Sequence, residues 1–93
     1  MKPNRKIDSI KEKMAQFLEM PKEVVLDFPK VVIVGDSELS IENYKGILEY
    51  ESEVIRVKTA DRIIKVGGKN LEITAITDEE IQITGTVSDV KFV

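Results

Sequence analysis

The chain has 93 residues, 42% of them hydrophobic, and a formal net charge of −3. That length admits one domain with one core, burying about 60–70% of the surface its unfolded form exposes, and the composition is too apolar for a disordered chain. Histidine, cysteine and tryptophan are all missing, which excludes disulfides, thiol chemistry, imidazole acid–base catalysis and the usual zinc ligands.

A chain without cysteine fits a reducing compartment. No run approaches the ~18 apolar residues needed to cross a bilayer, and the N-terminus lacks the apolar core and cleavage site of a signal peptide. A soluble, cytoplasmic protein is expected. The charge is unevenly spread: residues 1–13 sum to +3, which leaves −6 for the rest. A basic head on an acidic body suggests that the head meets an acidic surface, although a solvated helix face would also carry such charges.

Ile7, Ile10, Met14, Phe17 and Leu18 fall at helical spacing with charged residues between them, predicting an amphipathic helix over about 6–19. Ser9 and Glu12 have the capping-box spacing, and Met20-Pro21 supplies a stop. The stripe packs on the body of the domain or docks elsewhere. Lys6, Ile7, Ile10, Met14, Phe17 and Leu18 are therefore candidates for contact with a partner or membrane. Between Pro21 and Pro29, a short turn of helix carrying Val24, Val25 and Phe28 is expected as a lead-in. These features divide the chain into an N-terminal unit, 1–29, and a β domain, 30–93.

From Lys30 onward the apolar period becomes two. Val31-Val32-Ile33-Val34 is a continuous apolar run, the pattern of a strand covered on both faces, with the N-terminal helix as the candidate cover on one side. Alternating pairs come next at Leu39/Ile41, Leu48/Tyr50, Ile55/Val57, Ile64/Val66, Leu71/Ile73, Ile81/Ile83 and Val90/Phe92. The intervening breaks include Gly35-Asp36, Asn43–Gly46, Gly67–Asn70 and Gly85–Ser88. The expected fold is mainly β: an N-terminal amphipathic helix, then an antiparallel meander of about seven or eight short strands forming a roll or small barrel.

Chemistry finds little purchase. The acidic cluster Asp78-Glu79-Glu80 sits at an expected hairpin tip, where such residues serve as turn formers. The serines have no histidine to activate them, leaving only a Ser–Lys arrangement. Asp36, Glu38 and Glu42 are close in sequence but lack the pattern of a calcium loop. Gly67-Gly68-Lys69-Asn70 is not a phosphate loop, because G-G-K-N before a strand lacks the Walker spacing; it is expected to be a hairpin turn. No catalytic activity, cofactor or metal is expected. A helix followed by a small β-barrel is also the element order of Sm-like RNA-binding proteins, and Gly46-Ile47-Leu48 and Ile83-Thr84-Gly85 faintly resemble parts of that pattern. Glu51-Ser52-Glu53 stands where that family has other residues, and the β body lacks the basic patch of an RNA binder. RNA binding is kept as an alternative, as is an autonomous lipid-surface module.

Several stretches together resemble the YabP/YqfC sporulation protein family, its YqfC branch in particular. They are Phe17-Leu18-Glu19-Met20-Pro21, then Val24 to Val31 with Asp27-Phe28-Pro29 at its centre, then Gly35. Ile41-Glu42-Asn43-Tyr44-Lys45-Gly46-Ile47-Leu48 comes after these, and Ile83-Thr84-Gly85 runs on to Val90-Lys91-Phe92. The I-E-N-x-x-G-I-L element is the most specific of them. The resemblance implies a protein of the mother cell of a sporulating bacterium, peripheral at a membrane or free, with a role in spore assembly. It also implies a membrane-protein partner of the YqfD type. No catalytic residue is carried over. Self-association through exposed strand edges is open.

Asn43, Tyr44, Lys45 and Gly46 form a candidate bend or interface, since apolar parity changes between Ile41 and Leu48. Asn43 tolerates left-handed backbone and Gly46 permits positive φ, so the pair suits a bend or bulge that re-aims the next strand. Tyr44 then either covers the open end of the roll, its hydroxyl on a polar partner, or faces outward as an anchor.

Overall fold

The structure, a computed structural model, describes residues 27–93. The expected helix over 6–19, the lead-in before Asp27 and the Lys6–Leu18 candidate residues lie outside the described residues. The regular structure of the described residues is all β. Its six strands are β1 (Lys30–Val34), β2 (Glu38–Glu42), β3 (Gly46–Tyr50), β4 (Val54–Lys58), β5 (Ile63–Ile76) and β6 (Glu80–Phe92). They form one antiparallel sheet in the order β1-β2-β6-β5-β4-β3. Among the described residues the sheet does not close into a barrel; β1 and β3 are its end strands.

The expected count of short strands gives way to two long ones. β5 runs through Gly67–Asn70 and β6 runs through Gly85–Ser88, so neither stretch is a hairpin turn. Register shifts between Gly67 and Gly68 and between Lys69 and Glu72 mark bulges there. Bulges bend a strand without ending it, and they favour the same residues as turns do. At Gly68 a Cβ would strike the Thr86 carbonyl, and at Gly85, with φ +132°, it would lie 2.5 Å from the Asn70 carbonyl oxygen. The two long strands approach each other too closely here for any side chain.

The bends divide the sheet into two half-sheets. In one, β1 and β2 pair with the first part of β6, Glu38 opposite Thr84 and Glu42 opposite Glu80. In the other, β3 and β4 pair with the first part of β5, Val54 opposite Gly67 and Lys58 opposite Ile63. The arrangement repeats at the turns. The Val87 N–H donates to the Asp36 carbonyl of the β1–β2 turn, and the Gly68 and Leu71 N–H groups donate to Glu53 and Ser52 of the β3–β4 turn. Each hairpin tip thereby satisfies backbone groups that the bend releases.

Both half-sheets fold their apolar faces onto one core. Leu39, Ile41, Ile81 and Ile83 come from the first, Ile55, Val57, Ile64 and Val66 from the second, and all are fully buried; Leu71 joins them from the bend. Burying a side chain of this kind stabilises by about 1.5–3 kcal/mol relative to exposure. The alternation seen in sequence is therefore the inward face of each strand. β1 departs from expectation. Among the described residues its apolar run is covered on one face only: Val31 packs against the core, while Val32, Ile33 and Val34 are 41%, 49% and 56% exposed on an end strand, and the N-terminal helix expected as a cover lies outside the described residues.

Candidate interaction surfaces

The segment Asn43–Gly46 is not a bend within one strand. It is the crossing connection from β2, in one half-sheet, to β3, in the other. Asn43 adopts the left-handed conformation, φ 63°, which an asparagine side chain tolerates better than most. Gly46 has no positive φ and opens β3 with open space where its Cβ would be. The bulge lies further on: Ile47 pairs with Val57 and Glu49 with Arg56, so Leu48 is the extra residue.

The side chains of this connection find partners within the molecule, although Lys45 itself is exposed. The Asn43 amide donates to the Asp27 carboxylate at 3.1 Å and to the Phe28 carbonyl at 3.0 Å. Lys45 Nζ lies 3.1 Å from the same Asp27 oxygen. The hydrogen bond from Lys45, then that from Asn43, holds the Asp27 carboxyl below the ordinary carboxylate value. Asp27 itself is left-handed, φ 55°. The Tyr44 ring packs against the core and its hydroxyl donates to the Thr77 carbonyl at 2.5 Å. Two of the stretches that carry the sequence resemblance, Asp27-Phe28-Pro29 and Asn43-Tyr44-Lys45, therefore meet, and the connection clamps the segment that leads into β1.

Three surfaces stand out among the described residues. The first is the end strand β1, with Val32, Ile33 and Val34 exposed beside a backbone edge that no other described strand pairs. Unprotected edges of this kind are templates for strand addition. The second is a groove of about 420 Å³ lined by Phe28, Pro29, Asp61, Arg62 and Phe92. The third is the pair of outward sheet faces. Directly opposite residues of an antiparallel ladder share a face, so register alone assigns their charges. On the β1-β2-β6 half, Glu38, Glu42, Glu72 and Glu80 point away from the core with Lys30. On the β3-β4-β5 half, Arg56, Lys58, Lys65 and Lys91 do so with Glu49 and Asp89. Sequence reading missed this segregation because it depends on strand order, which no local signal carries.

Among the described residues, no group of three or more histidine, cysteine, aspartate or glutamate side chains is placed to hold a metal ion. Asp36 and Glu38 are exposed and Glu42 lies 3.8 Å from Lys30. Asp78, Glu79 and Glu80 occupy the β5–β6 turn and its edge, where Thr77 Oγ1 accepts from the Glu80 N–H at 3.0 Å. Among the described residues, no helix is long and apolar enough to cross a membrane.

Comparison with known proteins agrees with the sequence resemblance. The YabP family profile matches residues 28–93. The chain is also 34% identical over 80 residues to the uncharacterized protein YqfC of Bacillus subtilis (strain 168), covering 86% of each chain. No solved structure matches. The chain belongs to the YabP/YqfC family.

Proposed function

We propose that the protein is a non-catalytic assembly protein of endospore formation, acting in the mother cell by binding a protein partner. The observation that supports this best is the open β1 edge, where Val32, Ile33 and Val34 stand exposed beside backbone that no described strand pairs. Exposed apolar edges are costly to keep in a small domain and are usually covered in the working assembly. The family's sporulation setting supplies the process, and the YqfD type of membrane protein implied by the sequence resemblance supplies the partner.

In this reading the basic N-terminal stretch, with Lys6, Ile7, Ile10, Met14, Phe17 and Leu18, contributes to docking at the membrane. Cross-linked capture from sporulating cells tests it, with full-length bait beside a bait lacking residues 1–20 that has first been shown to stay folded. Capture of a YqfD-type membrane protein by full-length bait alone supports docking through the N-terminal stretch. Equal capture by both baits gives the docking to the β body, where the β1 edge lies, and removes the N-terminal stretch from the interface. Enrichment of RNA with no membrane protein overturns the proposal in favour of the Sm-like alternative.

A further inference from the structure

Both outward faces bear like charges that the isolated fold relieves only in part. Arg56 lies directly opposite Lys65, and Lys65 directly opposite Lys91, across three adjacent strands. On the other half-sheet Glu42 lies directly opposite Glu80. Like charges directly opposite one another destabilise a sheet, and neighbouring strands stand only about 4.8 Å apart.

Local partners compensate in part: Arg56 also lies directly opposite Glu49 on its other side. Lys91 pairs with Asp89 at 3.4 Å and Glu42 with Lys30 at 3.8 Å. Among the described residues, Arg56, Lys58, Lys65, Glu38, Glu72 and Glu80 form no ion pair. The Arg56 Nε is buried without a hydrogen-bond partner, so that guanidinium has given up solvent on one side and gained no acceptor.

We infer that the basic face of one copy stacks on the acidic face of a second copy, so that the protein self-associates head to tail. The complement to the cationic row is on the molecule itself. The two half-sheets fold over one core, so their outward faces look in opposite directions, one with Arg56, Lys58, Lys65 and Lys91 outnumbering Glu49 and Asp89, the other with Glu38, Glu42, Glu72 and Glu80 outnumbering Lys30. Stacked sheets lie about 10 Å apart, a gap that Lys or Arg and Glu side chains reaching from both sides can bridge. Apolar flanks accompany the charges: Val32 and Val34 border the acidic face, and Val54, Ile63 and Val93 the basic one. Because one face meets a different face, the contact is heterologous and leaves a free face at each end, so it propagates beyond a dimer.

The inference specifies self-association within the proposed assembly role and needs no membrane partner, so the two fail separately. Sedimentation velocity of the purified full chain reads it directly. At low ionic strength the wild type should form a concentration-dependent series of species, and these should dissociate to monomer at about 0.5 M salt, where charge interactions are screened within a few ångströms. Lys58→Glu with Lys65→Glu makes both faces acidic, and Glu38→Lys with Glu72→Lys makes both basic. Each double variant alone should associate about tenfold more weakly or worse, several exposed pairs being lost at once. Mixing the two should restore association, which also shows that both are folded. A wild type that stays monomeric at low salt overturns the inference. So does association that survives Lys58→Glu with Lys65→Glu, which would give the contact to the basic N-terminal stretch or the strand edges, and so does a mixture that fails to recover.

Discussion

The Tyr44 hydroxyl donates to the Thr77 carbonyl at 2.5 Å, joining the β2–β3 connection to the β5–β6 turn across 33 positions of sequence. Tyr50 makes a second tie of this kind, its hydroxyl accepting the Ile73 N–H at 2.9 Å. Ile73 sits in the part of β5 beyond the bend, where the strand has lost β4 as a neighbour. The two tyrosines of the chain thus both link elements that the strand pairing leaves apart, with the ring as spacer and the hydroxyl as the polar contact.

Tyr44→Phe should therefore cost about 1 kcal/mol, the net worth of one hydrogen bond. Tyr44→Ala removes the packed ring as well and should cost about 3 kcal/mol. Urea denaturation of the two variants separates the contributions, because the midpoint falls while the slope stays constant if only native contacts are lost.

The glycines make a sharper contrast. Gly68→Ala drives a methyl group onto the Thr86 carbonyl, and Gly85→Ala places one 2.5 Å from the Asn70 oxygen at φ +132°. Each should destabilise by about 2 kcal/mol or more. Gly46→Ala meets open space at an ordinary φ and should be neutral or stabilising, by up to about 1 kcal/mol. Thermal melts of the three variants in parallel should reproduce that order.

Thr59 is 1% exposed, and its hydroxyl serves the β4–β5 turn twice, donating to the Arg62 carbonyl at 2.7 Å and accepting the Arg62 N–H at 3.3 Å. Thr59→Val keeps the shape and removes both contacts. Stability should fall by about 1–2 kcal/mol, and amide exchange at Arg62 should accelerate more than in β6.

The Asp27–Lys45 contact has a defined pH dependence. The folded carboxyl titrates below its ordinary value of 3.8. Its small stabilising contribution is therefore complete above that value and is lost as the pH falls below it. Asp27→Asn should lower the melting temperature slightly at neutral pH and make no difference once the wild-type carboxylate is protonated. An NMR titration of the Asp27 side chain should give a midpoint under 3.8 in the wild type that rises toward it in Lys45→Ala.

Strand positions were legible where one face is buried. The inward pairs Leu39/Ile41, Ile55/Val57, Ile64/Val66 and Ile81/Ile83 are all core residues, because a period of two records burial directly. Gly67–Asn70 misled, since bulges and hairpin turns draw on the same residues, and only the pairing of β5 with β6 on both sides distinguishes them. β1 misled for a related reason: a continuous apolar run is shared by strands buried on both faces and by end strands with one face exposed. The left-handed Asn43 was legible from its residue type, but its partner Asp27, 16 positions earlier, was not. The charge segregation between the outward faces depends on every strand's position and was invisible in a sequence whose charges sum to −3.

The most direct test of the proposed role is a count of heat-resistant spores after the gene is deleted in the organism that encodes it. Vegetative growth should be unchanged and heat-resistant spores should drop, restored by a wild-type copy expressed only in the mother cell. Spore counts equal to the parent strain, or rescue only by expression in the forespore, would contradict the proposed role.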